Sequence, residues 1–110
     1  MKIVKIQYTV KEEFVTENKA NIKSMMDQIR SLERFDIRYT AYVLKDGKTF
    51  VHLAQYENTE AQDDLHNLAT FKVFSRERDA HIEIAPELVE MTLVGSTFDL
   101  FTIREEHIEF

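Results

Sequence analysis

The fold of this chain is decided between residues 35 and 56, which read FDIRYTAYVLKDGKTFVHLAQY. Across residues 35–44, Ile37, Tyr39, Ala41 and Val43 alternate with Arg38, Thr40, Tyr42 and Leu44, the period of two that a β-strand imposes. The stretch from Thr49 to Tyr56 repeats the pattern, with Phe50, His52, Ala54 and Tyr56 on one face and Val51, Leu53 and Gln55 on the other. Lys45-Asp46-Gly47-Lys48 joins the two runs, and Asp-Gly there is a hairpin signal because glycine accepts the positive φ of a tight turn. An antiparallel hairpin is therefore the expected centre of the fold.

Upstream, residues 3–10 also alternate: Val4, Ile6, Tyr8 and Val10 oppose Ile3, Lys5, Gln7 and Thr9. Lys11-Glu12-Glu13 breaks that period, and Phe14, Ile22, Met25, Met26, Ile29 and Leu32 then recur at helical spacing. This helix starts either at a Thr16 cap or earlier, near Lys11. Downstream, Thr59-Glu-Ala-Gln62 fits a capping box. Ala61, Leu65, Leu68, Phe71 and Phe74 continue the apolar stripe to about Ala80, and a second cap at Thr70 divides the region into two helices. Pro86 marks a boundary, residues 88–94 form a fourth strand, and 98–103 a short fifth after the Gly95-Ser96 bend. The order β-α-β-β-α-β is the split arrangement of ferredoxin-like α+β domains, an antiparallel sheet with helices on one face. Neither strand face is clearly polar, yet helices cover one side only. A second layer from another copy is expected, giving a homodimer packed sheet against sheet.

With 110 residues the chain forms one domain, expected over 1–103, followed by a tail at 104–110. Twenty acidic residues against 14 basic ones give a net charge of −6, which argues against a nucleic-acid partner. The absence of cysteine excludes disulfides, thiolate metal sites and a cysteine nucleophile. No stretch has the apolar length of a membrane span or the core of a signal peptide, so the expected location is cytoplasmic.

Phe50-Val-His-Leu-Ala-Gln-Tyr-Glu-Asn-Thr-Glu-Ala, Leu68-Ala-Thr-Phe-Lys-Val-Phe and Leu88-Val-Glu-Met-Thr-Leu-Val-Gly-Ser together resemble the antibiotic biosynthesis monooxygenase family of dimeric α+β barrels. The resemblance spans about residues 2–100 and lies mostly in fold-determining positions. It implies a homodimer, and a cofactor-independent oxygenase acting on a small aromatic or quinol-type substrate. Haem-degrading members of the family carry an Asn on the first strand and a Trp and a His on the second helical region. Aligned on Phe71, the Trp falls at or beside Leu65 and the His near Ser75, and the chain has no tryptophan. Haem cleavage is not expected. The Asn falls between Ile6 and Tyr8, where Gln7 imitates it. Oxygenase members without cofactors carry a His one residue from His66.

His52 and His66 are the candidate catalytic residues, since an imidazole near neutrality accepts the proton of a phenolic substrate. A hydrogen-bonded sheet histidine is the plainer reading of His52, and a surface histidine beside Asp64 that of His66. Gln7, Tyr8, Tyr39 and Leu65 are the candidate substrate-binding residues; for the tyrosines, membership of an aromatic core competes with lining a pocket. His81 and His107 are set aside. No metal-ligand spacing, glycine-rich phosphate loop or serine elbow is present. A non-catalytic dimeric binding or stress-related protein is the alternative function, and an isomerase or lyase on the same barrel a third.

Overall fold

The computed structural model describes residues 1–101. Four strands, β1 (Lys2–Val10), β2 (Ile37–Val43), β3 (Thr49–Tyr56) and β4 (Ile82–Met91), form one antiparallel sheet in the order β2-β3-β1-β4. Helices α1 (Val15–Ser31), α2 (Thr59–His66) and α3 (Ala69–Ala80) cover one face. This is the ferredoxin-like α+β architecture expected from the element order.

The hairpin closes as its sequence dictates. Gly47 takes φ 78°, and its N–H donates to Leu44 O at 3.0 Å. The Asp46 carboxylate accepts from the Lys48 and Thr49 N–H groups at 3.0 and 2.9 Å, and from the Thr49 hydroxyl at 2.6 Å. A 3-10 turn at Glu12–Phe14 opens this region beside Lys11, the earlier of the two expected starts, and α1 itself follows from Val15 with Phe14, not Thr16, at its cap position. Its buried stripe is Phe14, Asn18, Ile22 and Met25.

Several sequence expectations are corrected. The cap of α2 is Asn58, whose side chain accepts from Ala61 N–H at 2.8 Å, one residue before the expected Thr59. The expected split of the second helical region occurs, but Leu68 occupies the cap position of α3. The Thr70 N–H donates instead to Gln28 Oε1 at 3.1 Å, tying α3 to α1. Strand β4 starts six residues before Leu88, and Pro86 lies within it rather than at a boundary. Between the pairs Gln7–Glu87 and Val10–Ile82, β4 carries two extra residues, and Pro86 sits in that irregularity on an edge strand. A bulge tolerates the missing N–H. No fifth strand forms over residues 98–101; there the Arg38 Nε–H donates to Leu100 O at 2.7 Å in place of a ladder bond. Residues 102 and 103 of that expected strand, the 104–110 tail and His107 lie outside the described residues.

Two clusters fill the space between sheet and helices. Tyr8, Val10, Phe14, Ile22, Met25, Phe50 and Phe74 pack at the α1 side. Ile37, Ala54, Tyr56, Ala61 and Leu65 pack beneath α2, and Ile6, Ile29, Tyr39 and Phe71 border both clusters. On the uncovered face, Lys5, Gln7, Thr40 and Gln55 are mixed with exposed Tyr42, Leu44, Ile84 and Val89. Among the described residues no helix is long and apolar enough to cross a membrane.

Candidate functional site

The helix-covered face of the sheet holds a buried polar chain whose position follows from strand register. His52 lies opposite Ile6 on β1 and Ala41 on β2. Tyr8 and Tyr39, each two residues from those partners, are therefore its diagonal neighbours on the same face, within reach of long side chains. The Tyr8 hydroxyl lies 2.9 Å from His52 Nε2 and the Tyr39 hydroxyl 2.7 Å from Nδ1. Asn18, one helical turn after Phe14, donates from Nδ2 to the Tyr8 oxygen at 3.0 Å. That bond is matched by the tautomer in which Tyr8 gives its own hydrogen to Nε2 and the neutral imidazole, protonated on Nδ1, donates to Tyr39. In that tautomer the hydrogen of the Tyr39 hydroxyl is left for a further acceptor.

Burial controls the charge states here. His52 is 1% exposed and its pKa is pushed down to about 3, mainly by desolvation and secondarily by the positive charge of Arg78. Desolvation also holds the phenols of Tyr8 and Tyr39 well above the usual tyrosine range, and pushes Tyr56 up to about 12. The chain is neutral throughout at pH 7. With a tyrosine on each nitrogen, His52 has no nitrogen left to bond a ligand directly.

Beside this chain is a cavity of about 410 Å³, within the usual range for small-molecule sites. Its floor is Val4, Ile6, Tyr39, His52, Ala54 and Tyr56 from β1, β2 and β3. Gln62, His66, Phe71, Phe74 and Arg78 supply the helix wall, and Pro86, Leu88 and Glu90 the β4 side. His66 closes α2, is stacked on Phe71 with ring centroids 4.9 Å apart, and meets the edge of Tyr56 at 6.3 Å. Neither of its nitrogens is used in a hydrogen bond among the described residues. Desolvation lowers its pKa, partly offset by Asp63, so at neutral pH the ring is free to accept a proton.

The structure thus brings His52, His66 and Tyr39 to one cavity. Tyr8 stands behind His52 in the core, and Leu65 is fully buried under α2, beside the cavity wall but not in it. Gln7 faces the opposite side of the sheet, in a groove with Lys5, Thr9, Ile84 and Val89. His81 stacks on Phe14 at 4.0 Å and bonds Glu77 O through Nδ1, a packing role. Two residues escaped the sequence reading. Asn18 breaks an otherwise apolar helical stripe, which was a usable signal. Arg78 shares a face with Phe71 and Phe74 at helical spacing. Among the described residues no three His, Asp or Glu side chains are grouped to hold a metal.

No protein-family profile matches the chain, and no curated protein matches it in sequence. Solved structures do match. A structure described as an antibiotic biosynthesis monooxygenase superposes with a TM-score of 0.73 at 18% identity, covering 86% of this chain and all of that one. The chain has the antibiotic biosynthesis monooxygenase fold. A protein of Bacteroides thetaiotaomicron provisionally given the same name reaches 0.78 at 16% identity, over 89% of this chain and 93% of its own. Rv0793 from Mycobacterium tuberculosis reaches 0.74 at 13% identity, over 88% and 98%.

Proposed function

We propose that the chain is a homodimeric, cofactor-independent monooxygenase of this fold, acting on a small aromatic or quinol-type substrate held in the 410 Å³ cavity. The observation that carries the reading is the juxtaposition in one cavity of an aromatic wall, Phe71, Phe74 and Tyr56, with the His66 imidazole and the Tyr39 hydroxyl. The wall takes a flat ring system of two or three rings by apolar burial. Tyr39, oriented by the Tyr8–His52 pair, fixes the ring's oxygen. His66 removes the substrate's proton, and the resulting electron-rich anion gives one electron to molecular oxygen. Recombination of the radical pair forms a C–O bond, and loss of water from the hydroperoxide leaves a new carbonyl. One oxygen atom stays on the substrate; the other leaves as water with two hydrogens of the substrate.

The second copy covers the open sheet face. Exposed Tyr42, Leu44, Ile84 and Val89 there, together with exposed Leu93, Val94 and Phe98 beyond β4, are the apolar surface a partner buries. Light scattering is expected to report a dimer, and Tyr42→Lys with Val89→Glu a monomer; a monomeric parent chain refutes this arrangement.

Oxygen uptake with anthrone- and naphthoquinol-type substrates tests the chemistry. Enzyme-dependent uptake of one oxygen molecule per substrate is expected, reduced about 100-fold by His66→Ala. Absence of uptake with substrates that bind in the cavity, or uptake indifferent to His66→Ala, defeats it. Binding without turnover would return the chain to the class of binding proteins.

A further inference from the structure

Resting on the cavity reading above, we infer that the site takes its aromatic ligand as an oxyanion, and that Arg78 is the residue that selects and holds the negative charge. Arg78 lines the cavity from α3, and its side chain is only 14% exposed. Its guanidinium carbon stands 5.4 Å from the ring centroids of both Tyr8 and Phe74, so two aromatic faces hold a cation away from water. Nε–H donates to Asp79 at 3.0 Å and Nη2 to Ser75 Oγ at 3.2 Å, which fixes the guanidinium plane. The Asp79 side chain is 58% exposed, so water screens its carboxylate more than it screens the charge of Arg78.

The rest of the lining gives that charge its direction. Lys2 and Glu90, 3.7 Å apart and 43% and 68% exposed, bring opposite and largely water-screened charges to the β1–β4 side. His52, Tyr8 and Tyr39 are neutral, and no carboxylate from β1, β2 or β3 lines the cavity. The inner end of the site therefore presents two donors, the Tyr39 hydroxyl and the Arg78 guanidinium, and no anion. The positive field is already registered by its neighbours: the charge of Arg78 disfavours protonation of His52 and favours ionisation of Tyr8 and Tyr39. A ligand oxygen placed there meets the same field, and hydrogen bonds from both donors offset the desolvation that keeps the tyrosines protonated. A phenolate or an aromatic carboxylate satisfies both donors; a neutral ring satisfies neither. In the proposed reaction this is also where charge develops when His66 takes the substrate's proton.

Three probes separate the possibilities: 4-nitrophenol, whose phenolate is coloured, its neutral ether 4-nitroanisole, and 2-naphthoate. Bound 4-nitrophenol is expected to ionise about one pH unit lower than in solution, a tenfold shift. Arg78→Gln should abolish that shift while leaving 4-nitroanisole binding within about twofold. Arg78→Lys should keep part of it. Asp79→Asn, at an exposed position, should strengthen anion binding and so reports on the charge even where Arg78→Gln fails to fold. Tighter binding of 2-naphthoate than of the phenolate, with the same Arg78 dependence, assigns the site to aromatic acids rather than phenols and still supports the oxyanion. Equal affinity for phenolate and ether, or an ionisation shift that survives Arg78→Gln, overturns the role of Arg78 and leaves the cavity reading standing. Failure of all three probes to bind overturns the cavity reading and this inference together.

Discussion

The two ends of the helix-covered face are built from the same layers but packed differently. Under α1, Phe14, Met25, Phe50 and Phe74 pack into one buried cluster. Under α2, small residues at Ala54 and Ala61, a short helix, and a β4 edge whose Leu88 is 66% exposed leave the cavity open. His52 lies on the seam, sealed and held by two phenols, while His66 stands at the open wall with neither nitrogen hydrogen-bonded among the described residues. In the proposed reaction the same residue type thus serves orientation in one place and proton transfer in the other. Solvent access decides which.

The largest expected effect sharpens this contrast through acid. The His52 pKa falls from 6.5 in the unfolded chain to about 3 in the folded one, so the unfolded state binds the extra proton first. The stability tied to the neutral ring is complete above pH 6.5 and is lost as pH falls toward 3, at about 1.4 kcal/mol per pH unit and about 4–5 kcal/mol in total. Asp36, also depressed, contributes loss only as pH falls below its ordinary 3.8. Urea unfolding of the parent chain and of His52→Gln between pH 6.5 and 4.5 isolates the histidine as a difference in slope of about one proton. Parallel slopes would mean that His52 binds its proton as readily in the folded chain as in the unfolded one, and the contrast would dissolve.

Core truncation is expected to be the next largest effect. Met25→Ala, at a fully buried site of the sealed end, should cost about 2–5 kcal/mol. Leu88→Ala at the cavity edge should cost less than about 0.5 kcal/mol and alter ligand affinity instead. Similar thermal shifts for the two variants would show that both ends carry equal packing.

Much of this contrast was present in the strand alternation. Period two in β3 put His52 on the face of Phe50, Ala54 and Tyr56, and in β1 it set Tyr8 on the face of Val4 and Ile6. Alternation alone also separates Gln7 from Tyr8, so a single pocket holding both was at odds with the strand that carries them. What the sequence did not disclose was register. That Tyr8 and Tyr39 are both diagonal to His52 depends on which residues pair across three strands, and pairing is set by the turn at Gly47 together with the whole core. The place of Pro86 was hidden for a related reason: a local rule marks it as a breaker, and only an edge position with extra residues accommodates it in a strand.

That proline also bears on how the protein behaves when crowded. Among the described residues β4 pairs with β1 alone, and its outer edge is a template on which an extended chain could add itself strand by strand. Pro86, which has no N–H, lies midway along this strand, and the irregular register between Gln7 and Val10 spoils the spacing of its edge. A stray strand cannot run a continuous ladder along it. The irregularity that shapes one wall of the cavity also guards the sheet against edge-to-edge aggregation.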